Sequence, residues 1–354
     1  MSYERFILWA NKIFPVIILP LATIGNILCF FVFFRQKFQH RLTRTSSTLL
    51  RLLCINDLLV LYLFTIDLLL KTYTVKTRHP LRIYFSPFTC RLYKFVRYSL
   101  FDLTAYLQVA LTTDRFICCV HRSYYSHWRR HNYVYRLLLF ALAAILIKNS
   151  SFLTILYGYY RGQALNSTMK RMKYNQTLAN VRCSPHLDSQ FFQVYMAYGQ
   201  SIIDIIFVTF LPFFLILFLN YKILREVQRS RQRCFSITRA LHLSTSPPPL
   251  TPNGIRLLAK SRQQRLNLTL TLVSISMVFI LSTAPYKIFK VFERHDKLKR
   301  DLKSDVYQSE PKRPKLQMTE VFIDFLEFVS CSTPFFVCFC TSSMFRDELR
   351  KMFA

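Results

Sequence analysis

Glu320, Asp324 and Glu327 recur at i, i+4 and i+7 within one apolar stretch, so a helix there carries all three on one side, with Pro334 continuing the stripe. A row of acids at that depth cannot face hydrocarbon; it faces protein or a water-filled cavity. Asp67, Asp102 and Asp204 lie within other apolar stretches, and Arg97 and Lys148 stand against the acids as intramembrane cations. The chemistry on offer is electrostatic. Either the carboxylates line a cavity that holds a cation, a guanidinium being gripped in bidentate fashion, or they are paired internally or protonated in a polar core, with Lys148 neutralising one of them or lying against lipid. Catalysis is not indicated: no Ser-His-Asp or metal-ligand cluster stands out, and the 8 histidines fall mostly in loops, where His79, His121, His127 and His131 read as solvated or interfacial. No enzyme activity and no cofactor are expected. A second constellation, Asp114-Arg115-Phe116, closes a further apolar stretch, and Cys90 lies near the other end of that stretch.

These residues need elements to hold them, and seven apolar stretches supply them, at 13–34, 48–70, 95–119, 137–158, 191–221, 266–288 and 319–341. Each is long enough to cross a hydrocarbon core, which takes about 20 residues of helix. A chain that is 52% hydrophobic and 16% aromatic, with 5 Gly in 354 residues, is too apolar for an ordinary soluble domain and shows no repeat. The expected fold is an all-α membrane protein, a seven-transmembrane helix bundle, whose partner over its apolar surface is the lipid bilayer and not nucleic acid. The expected organisation is an outer N-terminal segment at 1–12, the bundle at 13–342, and a short amphipathic eighth helix with the tail at 343–354, where Phe345, Leu349, Met352 and Phe353 share a face. No cleavable signal is visible, so the first helix is expected to act as its own signal-anchor. The segment 222–265, with Ser246-Pro247-Pro248-Pro249 at its centre and arginine-rich ends, is expected to be a disordered, partner-facing loop with short helical extensions. Cys29, Cys54, Cys118, Cys119, Cys331, Cys338 and Cys340 read mostly as small packing residues.

The seven stretches together with the Asp114-Arg115-Phe116 triplet resemble the rhodopsin-like (class A) G-protein-coupled receptors, over nearly the whole chain. The resemblance implies that the triplet ends helix three at the cytoplasmic face and engages a heterotrimeric G protein. Arg115 is then the switch, paired with Asp114 at rest and exposed when helix six moves about the kink at Pro285. It implies a disulfide from Cys90 to the second outer loop, where Cys183 lies, and a polar spot built from Gly25-Asn26 and Asn56-Asp57 in which Asp57 holds a sodium ion. Location in the plasma membrane with the N-terminus extracellular follows the same resemblance. The usual excess of Lys and Arg on the inner side is absent, and the orientation rests instead on Cys90 and Cys183 and on the paired glycosylation sequons at Asn166 and Asn175, all of which then face the oxidising side.

The chain also departs from the family. Thr283 stands two residues before Pro285, where a tryptophan is usual; helix four has no tryptophan; and the helix-seven signature is reduced to Thr333-Pro334-Phe335-Phe336-Val337-Cys338. Arg97 occupies the position at which amine receptors carry an aspartate, which argues against an amine ligand, and family geometry lets it reach Asp324 or Glu327. An acidic cavity beneath a basic rim suits a small peptide that presents a cationic end inward, such as one ending in arginine and an amidated aromatic residue. The overall pattern is similar to invertebrate neuropeptide receptors of the FMRFamide-related kind. Two other readings stay open: a seven-helix ion channel or transporter that uses the intramembrane acids, and a receptor-like protein that has lost G-protein coupling.

Overall fold

The structure is a computed structural model and describes residues 3–39, 44–74, 86–121, 123–125, 127, 132–160, 181–185, 189–243, 269–285, 288–289, 292 and 314–354. Helix α1 spans Tyr3–Phe34, α2 Arg44–Thr74, α3 Pro87–Val120 and α4 Tyr133–Asn149. A hairpin of β1 (Tyr157–Tyr160) and β2 (Val181–Pro185) follows, then α5, which begins at Gln190 and ends in the long segment Leu211–Leu243. Helix α6 covers Thr269–Pro285, α7 Pro314–Thr341 and α8 Ser343–Phe353. Several boundaries differ from expectation: α3 starts at Pro87, before the stretch at 95, and α4 ends at Asn149, so that residues 157 and 158 of the fourth stretch lie in β1 and not in a helix. Helix α1 starts at Tyr3, ten residues before the apolar stretch at 13, and α5 continues to Leu243, a longer extension than the short helical ones expected at the ends of the 222–265 loop. Apolar content locates only the membrane-embedded part of a helix; polar turns extend it on both sides without any hydropathy signal.

By length and composition four described spans qualify to cross a membrane, Val16–Phe34, Arg44–Thr65, Tyr133–Leu153 and Gln200–Arg229. Helix α3 is less apolar because Arg97, Asp102, Asp114 and Arg115 interrupt it, yet it is the spine of the bundle, packed against α2, α4 and α5. Helix α1 packs on α2 and α7. Gly25 makes the second of these contacts possible: a Cβ there would lie 3.0 Å from Cβ and Cγ of Phe335. The largest core cluster joins Leu49, Leu53, Leu107, Leu111, Ile275 and Phe345, so α2, α3, α6 and α8 meet in one apolar layer. Facing outward, Phe140 is 75% exposed and Leu281 and Phe210 are exposed as well, the pattern of a surface whose solvent is hydrocarbon.

Helix ends are set by local chemistry. Ser86 and Thr89 form a capping box at the start of α3: Thr89 N donates to Ser86 Oγ at 3.2 Å and Ser86 N donates to Thr89 Oγ1 at 3.0 Å, with Pro87 in the first turn, where its missing N–H costs nothing. Ser342 caps α8 by accepting from Phe345 N at 3.2 Å, and the chain bends by 97° there. Arg346 then donates to the Phe339 and Cys340 carbonyls, both at 2.9 Å, and so satisfies the C-terminal end of α7. Phe345 and Leu349 are buried on the bundle side of α8, whereas Phe353 is exposed.

Among the described residues the two strands are the one regular element that is not helical, and composition did not foretell them. They pair antiparallel, with Tyr157 opposite Pro185 and Tyr160 opposite Val181, and the register shifts at Gly158. Gly158 has φ +71°, and a Cβ on it would sit 3.1 Å from Cys90 Sγ, so only glycine suits this position.

Candidate functional site

Helix α3 carries a chemical group at each level of the bundle. Its first turn holds the hairpin. Cys90 is disulfide-bonded to Cys183, and Arg91 donates to the carbonyls of Tyr157 at 2.6 Å, Ile155 at 3.0 Å and Gly158 at 3.3 Å. The hairpin is thus fixed over one end of the bundle, against Phe152, Phe192 and Met196. Cys183→Ala is expected to lose about 2–5 kcal/mol of local stability and with it surface expression or ligand binding. Recovery of both cysteines as free thiols under non-reducing labelling would contradict the bond.

One level below, a charge cluster joins α3, α4 and α5. Lys148 Nζ lies 2.7 Å from Asp102 Oδ2 and 2.5 Å from Asp204 Oδ1. Asn149 Nδ2 donates to Asp102 Oδ2 at 3.0 Å and to Ser99 Oγ at 3.2 Å, and Gln200 Nε2 donates to Asp204 Oδ1 at 3.4 Å. Asp102 is 2% exposed at its side chain. Asp102 and Asp204 therefore do not stand as open walls of a cation cavity. A carboxylate at this depth needs a donor, and Lys148, which the sequence leaves free to lie against lipid, turns inward to serve both. Helix α5 widens here: Asp204–Phe210 is π-helical, and the Phe207 carbonyl accepts from Tyr106 OH of α3 at 2.7 Å.

Arg97 projects between α2 and α3, its guanidinium 4.9 Å from the ring centroid of Phe64 and 5.9 Å from that of Phe101. Beneath it lies a narrow cleft bordered by Phe101, Val208, Phe213, Phe279, Thr283 and Cys331. Thr283, found where a tryptophan was the usual residue, leaves this space unfilled. Asp57 is buried at 2% exposure near the middle of α2. The neighbouring asparagines fix the helices around it: Asn56 Nδ2 donates to Thr104 Oγ1 at 2.7 Å and to the Leu100 carbonyl at 3.1 Å, and Asn26 Nδ2 to the Cys331 carbonyl at 2.8 Å.

At the end away from the hairpin, Asp114 is fully buried and accepts a hydrogen bond from Ser46 Oγ of α2. Arg115, 4% exposed, keeps Nε and Nη2 buried without hydrogen-bond partners. The expected Asp114–Arg115 ion pair is not among the described contacts. Neighbours on a helix point about 100° apart, so while Asp114 turns toward α2, Arg115 turns elsewhere. Phe116 packs with Ile223, Val227 and Val273, between α5 and α6. Tyr125, just beyond α3, is buried against this site, and burial together with the Asp114 carboxylate pushes its phenol well above the ordinary range. Pro285 is exposed at the hairpin end of α6, and Ser282 and Thr283 beside it donate to carbonyls one turn back, which loosens that turn. Asp114→Asn, which weakens the charge-assisted bond to Ser46, is expected to raise basal signalling about tenfold, and Arg115→Ala to remove evoked signalling. Unchanged basal and evoked responses in both variants, in cells where the wild type responds, would contradict the switch.

Several residues that matter here had no sequence signal. Ser46, Asn149 and Arg91 look like ordinary helix residues, and so do Gln108, Thr112 and Ser276, whose hydroxyl and amide groups approach to 3.3 and 3.5 Å between α3 and α6. Only the adjacency of Lys148 and Asn149 at the end of an apolar run hinted at one of them. Glu320, Asp324 and Glu327 lie on α7 and Asp67 on α2, as expected of helical residues, but their side-chain surroundings lie outside the described residues, as do Asn166 and Asn175 altogether.

The sequence profile of the 7 transmembrane receptor (rhodopsin family) matches residues 25–309. No curated protein matches the chain.

Proposed function

The chain belongs to the seven-transmembrane receptors of the rhodopsin family and is a multi-pass G-protein-coupled receptor; we propose that its ligand is a small peptide whose cationic group enters from the hairpin end. The observation that carries the peptide reading is the placement of Arg97. Arg97, lying over the rings of Phe64 and Phe101, stands where an amine receptor would carry the carboxylate that binds its ligand's ammonium, so a small amine lacks its counter-ion on α3, whereas a peptide is long enough to reach carboxylates on other helices. In this reading the acids Glu320, Asp324 and Glu327 of α7 and Asp67 of α2 receive the ligand's guanidinium or ammonium, while Asp102 and Asp204 already share Lys148.

In this reading the hairpin end and the N-terminus are extracellular, Asn166 and Asn175 are glycosylated, and Asp57 holds a sodium ion between α1 and α2. Two buried acceptors, Asn26 Oδ1 and Asn56 Oδ1, lack hydrogen-bond partners on those helices and suit such an ion. Ligand binding is relayed to Asp114, Arg115 and Phe116, where a heterotrimeric G protein docks. The experiment is a peptide-library screen of cells expressing the chain, with calcium and cyclic-nucleotide readouts and with amines included. Responses to basic, amidated peptides support the reading; responses to amines alone overturn it, silence throughout favours a receptor without coupling, and a ligand-free ion current favours a channel.

A further inference from the structure

Between Glu4 and Asp57 the chain carries no Asp or Glu, and Arg35, Lys37, Arg41, Arg44 and Arg51 all fall in that interval. The fold gathers part of this run at the end of the bundle away from the hairpin. Arg44, Thr48 and Arg51 stand at i, i+4 and i+7 on α2, so they share one stripe. Arg51 Nη2 donates to Thr48 Oγ1 at 2.9 Å, and Thr48 Oγ1 donates to the Arg44 carbonyl at 3.0 Å. The Arg51 guanidinium lies 5.2 Å from the ring centroid of Phe34, the last residue of α1, and the next residue, Arg35, donates to the Lys351 carbonyl of α8 at 3.2 Å. The cations stand at two levels. Arg51 lies about 10 Å along α2 from Arg44, whereas Arg44, Arg35 and Lys351 are exposed at the end of the bundle. Among the described residues no carboxylate pairs with Arg35, Arg44 or Arg51, and Lys351 meets Glu348 at 3.5 Å. Thr48 alone accepts from Arg51 among them, and Arg51 Nε is buried without an acceptor. Deeper in, both stripes turn apolar: Phe31 and Ile27 of α1 and Ile55 and Leu59 of α2 are exposed.

We propose that this face binds an inositol phospholipid with phosphates on its ring, the phosphodiester at Arg51 and the ring phosphates at the outer cations Arg44, Arg35 and Lys351. Guanidinium forks match phosphate oxygens in bidentate fashion, and a basic cluster beside a membrane helix draws anionic headgroups. The two levels of cation select the lipid. Phosphatidylserine carries its phosphate at the inner level and a zwitterionic amino acid at the outer one, which leaves the outer cations unmatched. The apolar stripes below Arg51 take the acyl chains, a contact that a soluble phosphate does not make. The leaflet is the cytoplasmic one in the orientation proposed above, and the site rests on that reading for nothing else.

The test is native mass spectrometry of the purified full chain in detergent, titrated with phosphatidylinositol bisphosphate, with phosphatidylserine or with soluble inositol trisphosphate. The bisphosphate lipid is expected to bind about tenfold more tightly than either of the others. Arg51→Gln is expected to weaken it about tenfold, and Arg44→Gln, at an exposed position where the fold is not at stake, about fivefold. Arg229→Gln, which removes an exposed arginine of α5, should leave it unchanged. Equal retention of phosphatidylserine would reduce the face to a charged surface without selectivity, and equal binding of inositol trisphosphate would make it a site for soluble phosphates; either overturns the proposal. Undiminished lipid binding in both Arg44→Gln and Arg51→Gln, or a loss in Arg229→Gln as large as theirs, would overturn it too. No peptide or G protein enters the measurement, so its failure leaves the receptor reading untouched.

Discussion

Replacing Lys148 with Met is expected to destabilise the protein by about 3–5 kcal/mol, the cost of leaving buried carboxylates without the cation that served them. Met is unbranched and only one heavy atom shorter than Lys, so little packing is lost; what disappears is the ammonium that contacts Asp102 at 2.7 Å and Asp204 at 2.5 Å. Asp102 has almost no exposure through which water could compensate. In surface-expression or thermal-stability assays the variant should lose roughly 5–15 °C or fail to reach the membrane. The same substitution combined with Asp102→Asn and Asp204→Asn removes all three charges, and it should recover most of the loss, because neutral replacement of a whole buried ion cluster costs far less than removal of one member. A triple variant as damaged as Lys148→Met alone would show that Lys148 acts through packing and not through charge.

Removing charge from the α7 stripe is expected to weaken an arginine-bearing peptide agonist by two to three decades. A carboxylate paired with a guanidinium has a bidentate geometry that an amide cannot reproduce, and breaking such a pair costs about 3–5 kcal/mol. Asp324→Asn and Glu327→Gln are nearly isosteric and open no cavity. Each variant is compared with a peptide whose arginine is replaced by a neutral residue. If the acids contact that arginine, the variant and the neutral peptide each lose potency but the combination loses no more than either alone. If Arg97 is the partner of the stripe, both peptides weaken equally in the variants, and Arg97→Gln partly restores them. Fully additive losses would make the stripe an internal salt bridge.

The membrane bundle was legible because apolar length is a property of composition, and the family resemblance followed from the Asp114-Arg115-Phe116 triplet and Cys90. Helix limits were less so: Ser86, Thr89 and Ser342 set the starts of α3 and α8 through caps that hydropathy ignores. The β1–β2 hairpin was missed because its pairing depends on the bond to Cys90 and on Arg91, both distant in sequence. Partners of charged residues were the hardest part. The chain shows that Asp102, Asp204 and Lys148 lie in three helices, but only the rotation of each helix decides that Lys148 faces both acids and not lipid. Rotation likewise separates Asp114, which turns to Ser46, from its neighbour Arg115. Thr283 was visible as a departure, and the cleft it leaves open was not.

Receptor function itself is tested most directly by guanine-nucleotide exchange on a purified heterotrimeric G protein, mixed with membranes that contain the chain and with peptides from the library screen. A basic, amidated peptide should accelerate exchange with the wild-type chain, and Arg115→Ala should abolish the acceleration while leaving peptide binding in place. Exchange that no peptide accelerates, or acceleration that survives Arg115→Ala undiminished, would contradict a peptide-driven receptor that signals through the end of α3.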